Sequence, residues 1–321
     1  MQRIIACFHA LACLGAASGV AAQTYPTKPI RLIVPFPPAG SADLLSRTIG
    51  QKLGETWGRQ IIVDNRPGVG GNLGVEHAAK ATADGYTVVM AATTSNAIGM
   101  STYTRLGYDL QKDLAPVTLV ANVPHILVSH PSLPAKSIKE LIALGKARPG
   151  EIAFASQGNG TLSHLEQELF KSMGGFSALH VPYKGSAPGI ADLIPGNVQL
   201  FFDGIPSSLP HVKSGRIRAL GVASSRRSPA LPEIPAIGET VKGFEADSWF
   251  GILMPAGTPR DIIVRFDGEV QKVLATQDVK DRLLAVGGFV QAGGPAELAE
   301  RIRLDVAKWG KVARAANVRI E

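Results

Sequence analysis

Cysteine is nearly absent from this chain of 321 residues. Its two cysteines, Cys7 and Cys13, lie in the first 22 residues, where a basic residue precedes an apolar run that ends in small residues. This pattern is typical of a secretory signal peptide, with cleavage expected before Gln23. A lipoprotein site at Cys13 or a membrane anchor fits less well, because the apolar run is short. The predicted mature chain therefore has no disulfide, no cysteine nucleophile and no thiolate metal site.

Clusters of basic residues are also absent, although the formal net charge is +7. Removing residues 1–22 deletes one arginine and no acid, which leaves about +6. Lysine and arginine are scattered, and Arg226-Arg227 is their only adjacent pair. Nucleic-acid binding needs a basic patch or stripe, so we predict no nucleic-acid partner and a mild preference for small anions.

Motifs for catalysis and nucleotide binding are missing as well. The six histidines after residue 22 form no H-x-x-x-H or H-E-x-x-H pair, and Ser156 lies outside a G-x-S-x-G pattern. The run Gly68–Gly74 follows a strand, but the third glycine of a dinucleotide fingerprint falls on Leu73, so tight turns explain these glycines better. We predict no metal, no cofactor and no enzyme, while a triad assembled by the fold stays an alternative.

Apolar segments alternate with amphipathic ones along most of the chain. This alternation predicts an α/β fold with largely parallel sheets. Strands are predicted at Ile30–Val34, Gln60–Val63, Thr87–Ala91, Ile152–Ala155, Ala178–Val181, Val198–Phe202 and Ile217–Val222. Helices are predicted at Ser41–Gly54, Ser137–Ala147 and Thr161–Met173, from Pro259 onward, and at Pro295–Ala316.

Two segments share the order of strand, short polar loop and helix: IRLIVPFPPAGSADLL from Ile30, and EIAFASQGNGTLSHL from Glu151. We expect them to be equivalent corners of two α/β domains. Ligands of open α/β sheets bind beyond the carboxyl ends of strands, at such loops. A helix N-terminus there offers unpaired N–H groups and a partial positive charge, which suit a carboxylate.

In the first corner, three prolines restrict the loop and remove donors. The donors that remain are the N–H groups of Ala39, Gly40, Ser41 and Ala42 and the Ser41 hydroxyl. Asp43 would lie in the first helical turn, where it is favourable to the helix dipole and so has a structural role. It would also repel an anion at close range, so ordered water would then bridge it to the ligand.

In the second corner, Gly158 and Gly160 allow the backbone to approach a ligand closely, and Ser156, Asn159 and Thr161 add donors. Thr161 either contacts the ligand or caps its helix, and the two roles are compatible.

For three side chains beyond this corner, the sequence is compatible with more than one role. His164 could approach a ligand, although a place on the helix surface is the stronger expectation. Tyr183 either lines a pocket or packs against neighbouring side chains. Asp203 either neutralises a ligand amine or orders a turn.

Several segments in this order resemble the Bug-type receptors, the extracytoplasmic binding proteins of tripartite tricarboxylate transporters. The similarity covers almost all of the chain after the signal peptide. It is carried by YPTKPIRLIVPFPPAGSAD, IIVDNRPGVGGNLGVEHAAKATADGYTVVMA, LHVPYKGSAPGIADLIPGNVQLFFD, GRIRALGVASSRRSPALPEIPAIGET, WFGILMPAGTP and KWGKVARAANV.

The resemblance implies a type II periplasmic binding protein fold of two α/β domains with a ligand cleft between them. Residues 23–123 plus 249–321 would form the first domain and residues 124–248 the second. Such a receptor closes around a small carboxylate and delivers it to a membrane permease. The ligand would be a di- or tricarboxylate, an aromatic acid or an acidic amino acid.

The resemblance also implies which residues line the cleft. The segment Pro35–Asp43 would hold a carboxylate through backbone groups and water, and Ser156–Thr161 would supply further donors. Thr94 and Ser95 follow a strand where the family lines its cleft. Many relatives carry Gly-Gly where this chain has Ala39-Gly40, and alanine restricts the backbone of this loop more than glycine does.

Specificity would depend on side chains at the far end of the ligand, such as Phe36, Tyr183 and Asp203. If Asp203 faces the cleft, an amino acid becomes plausible; if it is turned away, an uncharged carbon skeleton is favoured. A sensory adaptor for a membrane kinase is an alternative with the same binding event.

Overall fold

The computed structural model describes residues 25–38, 40–246 and 248–320. The predicted signal peptide and Ala39 lie outside these ranges. Within them, none of the helices combines the length and the apolar character needed to cross a bilayer.

The described residues form strands β1 to β11 and helices α1 to α12. The strands are β1 Ile30–Val34, β2 Ile61–Asn65, β3 Thr87–Ala92, β4 Leu114–Asn122, β5 His125–Ser129, β6 Ala153–Ser156, β7 Leu179–Pro182, β8 Leu200–Gly204, β9 Arg218–Val222, β10 Trp249–Pro255 and β11 Phe289–Gly293. The helices are α1 Ser41–Trp57, α2 Asn72–Ala79, α3 Gly99–Thr102, α4 Leu110–Asp113, α5 Ile138–Ala147, α6 Leu162–Gly174, α7 Ser186–Leu193, α8 Ile205–Lys213, α9 Ile237–Thr240, α10 Arg260–Ala275, α11 Gln277–Ala285 and α12 Pro295–Ala315. A 3₁₀ turn, Val69–Gly71, precedes α2, and a π-helical turn, Thr93–Ile98, precedes α3.

The strands form two sheets, with the orders β11-β4-β10-β3-β1-β2 and β7-β6-β8-β5-β9. The chain passes from the first sheet to the second between Asn122 and His125, and it returns before Trp249. We define lobe two as residues 124–248 and lobe one as the rest of the described chain.

The expectation of largely parallel sheets is wrong for part of each sheet. Strand β1 is parallel to β2 and β3, and β6 is parallel to β7 and β8. In contrast, β10 runs antiparallel to β3 and β4, and β5 runs antiparallel to β8 and β9. Strands β4, β5 and β10 carry the chain between the lobes instead of returning through a crossover helix, so their direction differs from that of a βαβ unit.

Apolar side chains fix the two helices that begin at the predicted corners. Helix α1 buries Leu45, Ile49 and Leu53 against the first sheet and ends at Gly58, which has a left-handed conformation. Helix α6 buries Leu165 and Phe170, and each such side chain contributes about 1.5–3 kcal/mol when it is fully buried. Both helices are therefore held rigidly with their N-termini at the carboxyl ends of β1 and β6.

Candidate functional site

Three loops of lobe one meet at the carboxyl ends of β1, β2 and β3. The close approach centres on Gly71, which has a φ of +95°. A Cβ atom on Gly71 would lie 3.1 Å from Cζ of Phe36 and 2.9 Å from Cβ of Ser95. Phe36, the glycine-rich turn and the π-helical turn therefore form one corner, which includes two of the predicted site residues.

Hydrogen bonds to the buried Asp43 carboxylate hold this corner together. Its side chain is buried, and its carboxylate accepts hydrogen bonds from Asn65 Nδ2 at 3.0 Å and from Arg47 Nε at 2.9 Å. The same Asn65 amide donates to the carbonyl oxygen of Phe36 at 3.1 Å. Asp43 therefore ties the start of α1 to β2, which is the structural role that the sequence left open. Asn65 was not recognised from the sequence, because a residue at the end of a strand gives no local signal of this contact.

The backbone N–H groups at the start of α1 are not used in hydrogen bonds to the described residues. Gly40 is the N-cap residue and has extended backbone, without a capping side chain. The N–H groups of Gly40, Ser41 and Ala42 donate to none of the described residues. Together with the helix dipole, these groups make an anion-binding surface.

Side chains in the π-helical turn bond mainly to one another. The Ser95 hydroxyl is buried and donates to Asn96 Oδ1 at 2.9 Å, and the N–H of Ala92 donates to the same oxygen at 2.9 Å. The Nδ2 group of Asn96 is buried and has no partner in the described part of the chain. Thr94, by contrast, is only half-buried. Of the two predicted residues here, Thr94 is the one whose side chain reaches solvent.

The glycine loop of lobe two uses many of its own donors. Four N–H groups are bonded inside the lobe: Gln157 donates to Ser163 Oγ, Gly158 to Ser156 Oγ, Gly160 to His164 Nδ1 and Thr161 to the carbonyl of Gly158. The N–H groups of Asn159, Leu162 and Ser163 donate to no residue that the structure describes. The anion-binding surface of this corner is therefore the tip of the loop and the first turn of α6.

Two stacked histidines hydrogen-bond to this loop. The rings of His164 and His180 lie 3.8 Å apart at 11°, and Ser156 Oγ lies 2.7 Å from His180 Nε2. His164 was expected on the helix surface, but it is buried. His180 was not recognised as part of the site, because strand pairing brings it under the loop.

The environment keeps both imidazoles neutral near pH 7. Burial, His180 and Lys171 lower the pKa of His164 to about 3. Burial and Lys171 lower the pKa of His180 to about 4. Since the N–H of Gly160 donates to His164 Nδ1 at 3.1 Å, the proton of this neutral ring lies on Nε2. The neutral His164 ring thus offers Nδ1 to the loop as an acceptor, and His180 Nε2 shares a hydrogen bond with the Ser156 hydroxyl.

Asp203 lies beneath the glycine loop and contacts it through the side chain of Gln157. The residue is fully buried, and its carboxylate accepts hydrogen bonds from three side chains. The donors are Ser186 Oγ at 2.5 Å, Gln157 Nε2 at 2.8 Å and Ser208 Oγ at 2.7 Å. Asp203 therefore orders the strand ends of lobe two, and a ligand amine would find its oxygens occupied.

The side chains of Tyr183 and Thr161 both form hydrogen bonds within lobe two. The Tyr183 hydroxyl donates to Asp192 at 2.7 Å, and burial together with this carboxylate raises the pKa of Tyr183 to about 12. The part of Tyr183 that approaches the loop is its carbonyl oxygen, which would lie 3.1 Å from a Cβ atom on Gly158. The Thr161 hydroxyl donates to the Gly158 carbonyl at 2.7 Å and does not cap α6. Both side chains shape the loop from within lobe two.

A separate groove of about 800 Å³ lies between the outer helices of the two lobes. It is lined by residues near the C-terminal ends of α5, α6 and α12, including Lys146, Lys171 and Lys311. Helix C-termini carry negative partial charge, which nearby lysines balance. Lys171 is also paired with Glu168 at 2.6 Å. The groove thus lacks the array of unpaired N–H groups found at the two corners, which we take as the candidate site.

Comparison with known proteins gives a consistent picture. Residues 45–318 match the model of a family described as the tripartite tricarboxylate transporter family receptor. The chain is 37% identical over 313 residues to protein BugT from Bordetella pertussis, which covers 97% of this chain and 96% of BugT.

Solved structures resemble the whole fold. The R. palustris protein Rpa4515, solved with adipate, superposes with a TM-score of 0.84 at 36% identity and covers 92% of this chain and 99% of its own. MatC from Rhodopseudomonas palustris, solved with bound malate, has a TM-score of 0.78 at 27% identity, with 90% and 99% coverage. These similarities confirm the predicted α/β binding-protein fold of type II.

Proposed function

The chain belongs to the receptor family of the tripartite tricarboxylate transporters, and from this membership we propose that it captures a small dicarboxylate outside the cytoplasm. In this proposal the ligand binds between the lobes, and a membrane permease of the same transporter type receives it. The relatives solved with adipate and malate support a carboxylate as the ligand class. The predicted signal peptide and the family support the periplasm as its location.

One observation carries the proposal: each lobe presents a helix N-terminus with N–H groups that donate to none of the residues the structure describes. The groups belong to Gly40, Ser41 and Ala42 in lobe one, and to Asn159, Leu162 and Ser163 in lobe two. A dicarboxylate can place one carboxylate at each helix, and it contacts both only when the lobes are close. Such a ligand shifts an open–closed equilibrium by its differential affinity for the closed state.

The buried position of Asp203 narrows the range of ligand classes further. Its oxygens are satisfied by Gln157, Ser186 and Ser208, so they are not offered to a ligand ammonium group. Recognition by backbone N–H groups alone leaves an α-amino group without an acceptor from this residue, and desolvating an unpaired ammonium is costly. We therefore favour an uncharged carbon skeleton over an amino acid.

A thermal-shift panel tests this proposal. Ligand-stripped protein is heated with adipate, malate, succinate, citrate, benzoate, glutamate or aspartate, and hits are measured by calorimetry. A ligand at 100 times its dissociation constant stabilises the folded protein by about 2.7 kcal/mol. We expect a dicarboxylate to give the largest shift, and we expect aspartate to give a smaller shift than succinate, the dicarboxylate that differs from it only in lacking the ammonium group. The proposal fails if no carboxylate raises the melting temperature, and the skeleton assignment fails if glutamate binds tightest.

A further inference from the structure

The segment after α12 crosses to the ligand loop of the other lobe. Ile320 is half-buried, and a Cβ atom on Gly160 would lie only 2.2 Å from its Cδ1 atom. The same Cβ atom would lie 3.3 Å from Oγ1 of Thr102, which also belongs to lobe one. The bare α-carbon of Gly160 thus lies against two lobe-one side chains.

Backbone hydrogen bonds hold Ile320 in place on lobe one. Its N–H donates to the carbonyl of Thr102 at 2.8 Å, and its own carbonyl accepts from the N–H of Thr104 at 3.1 Å. Tyr103, between these residues, places its hydroxyl 2.9 Å from a Cβ atom built on Gly70 in the glycine-rich turn. Ile320 is therefore the outermost point of a packed chain of residues that starts at the lobe-one corner.

The two glycine loops meet through this chain of residues. In lobe one it runs from Gly70 through Tyr103 to Ile320, and in lobe two it continues at Gly160, whose N–H is fixed by His164 Nδ1. A contact between lobes exists only over a narrow range of lobe angles, because dispersion attraction falls off within about 1 Å of separation. Its presence therefore favours one lobe angle over others.

We propose that Ile320 and Thr102 are positioning residues that stabilise the lobe arrangement seen in this structure by packing on Gly160, without contacting the ligand. Glycine is required at position 160 because its φ is +67° and because any Cβ atom would strike Ile320. The effect on ligand affinity rests on the proposed function, whereas the effect on lobe angle does not. Ligand affinity then depends on a side chain at the far end of the sequence from the loops.

A double-mutant cycle on Gly160→Ala and Ile320→Ala tests the contact. Each variant carries spin labels at Lys80→Cys and Lys213→Cys, two exposed positions on different lobes, with Cys7 and Cys13 replaced by alanine. Electron-spin distance measurements without ligand report the lobe separation, and calorimetry with adipate reports affinity. Gly150→Ala is the matched control, because Gly150 has a φ of +78° and open space around its Cβ position.

We expect Gly160→Ala to lengthen the label distance and to weaken adipate binding about tenfold, and Ile320→Ala to weaken it about threefold. In the double variant the clash is gone, so affinity should return to within about twofold of Ile320→Ala. Gly150→Ala should change neither quantity. Strictly additive effects, or label distances that stay the same in all variants, would overturn the proposal. If adipate and the other carboxylates fail to bind the wild type, the proposed function is wrong, and the distances still decide this inference.

Discussion

The two corners of the candidate site direct a helix N-terminus in chemically different ways. In lobe one, prolines stiffen the loop, and one external amide, Asn65 Nδ2, bonds both Asp43 and the carbonyl of Phe36. In lobe two, the loop is rich in glycine and is held by its own network, with Ser156 on His180 and Gly160 on His164. Proline limits the loop in the unfolded chain as well, whereas the hydrogen-bond network exists only in the folded state.

This difference decides how each corner should respond to change. The lobe-one loop is stiffened by its prolines and clamped by the Asn65 side chain, so the positions of Gly40, Ser41 and Ala42 should tolerate changes elsewhere. The lobe-two loop commits the N–H groups of Gly158 and Gly160 to internal acceptors, so a backbone shift there redirects the whole loop. We therefore expect the glycine loop to be the more sensitive corner.

The largest expected effect is that of Gly158→Val. Gly158 has a φ of +138°, and a Cβ atom there would lie 3.1 Å from the carbonyl oxygen of Tyr183. A β-branched residue in this conformation costs about 1–3 kcal/mol, and the loop can relieve that strain only by moving its donors. Adipate affinity, measured by calorimetry, should fall between about tenfold and about a hundredfold, with the far-ultraviolet dichroism unchanged.

The control for this variant is Gly215→Val. Gly215 also has a left-handed backbone, with a φ of +71° and nothing within 4 Å of its Cβ position. It should lose stability from backbone strain but keep its affinity. Equal affinity of wild type and Gly158→Val would remove the glycine loop from the site.

The sequence predicted the position of both corners but not their internal contacts. Continuous apolar runs such as Ile30–Val34 mark buried strands, and the polar loop and amphipathic helix after each run follow directly. The stacking of His164 on His180 depends on the parallel pairing of β6 with β7, which places Phe154 opposite His180. Residues 16 positions apart carry no local signal of such a contact.

The face of β8 on which the Asp203 side chain lies could not be predicted from the sequence either. Side chains alternate between the two faces of a strand, so a shift of one residue in the register of β8 would place Asp203 on the other side. The predicted strands also omitted β4 and β10, which carry the chain between the lobes, and buried strands of either direction read as apolar runs, so the antiparallel pairing could not be predicted. Both features are set by tertiary pairing.

A smaller effect is expected in lobe one from Asn65→Ala. The substitution removes the donor to the Phe36 carbonyl and one donor to Asp43, while Arg47 still pairs with Asp43 at 2.9 Å. Losing a partner of a buried polar group costs about 1–3 kcal/mol, and we expect part of this cost to increase the disorder of the loop that contains Phe36. Adipate affinity should fall about fivefold, less than for Gly158→Val.

Gln277→Ala provides the comparison for this clamp. Gln277 donates to Asp281 at 2.8 Å on the exposed surface of α11, so it is the same type of pair outside both corners. Its loss should leave affinity unchanged. If Asn65→Ala weakens binding more than Gly158→Val does, the ranking of the two corners is reversed.

The last expected effect concerns folding stability instead of ligand affinity: a pH dependence of unfolding that belongs to lobe two alone. The pKa values of His164 and His180 are lowered from 6.5 to about 3 and about 4, so the unfolded chain takes up protons first as the pH falls. The free energy of unfolding should therefore decrease from about pH 6.5 down to about pH 4. The full slope for one site is about 1.4 kcal/mol per pH unit, and solvent screening of the half-buried His180 reduces its share.

The variant His164→Asn/His180→Gln isolates this effect, because asparagine Oδ1 and glutamine Oε1 can replace the ring nitrogens Nδ1 and Nε2 without titrating. Urea unfolding of wild type and variant between pH 4.5 and pH 7 gives the two curves, with His77→Gln as a control at an exposed histidine. The variant should have the flatter curve, whereas His77→Gln should follow the wild type. Parallel curves for the double variant and the wild type would mean that the stacked pair does not stay neutral, and the internal network of the glycine loop would then lose its main support.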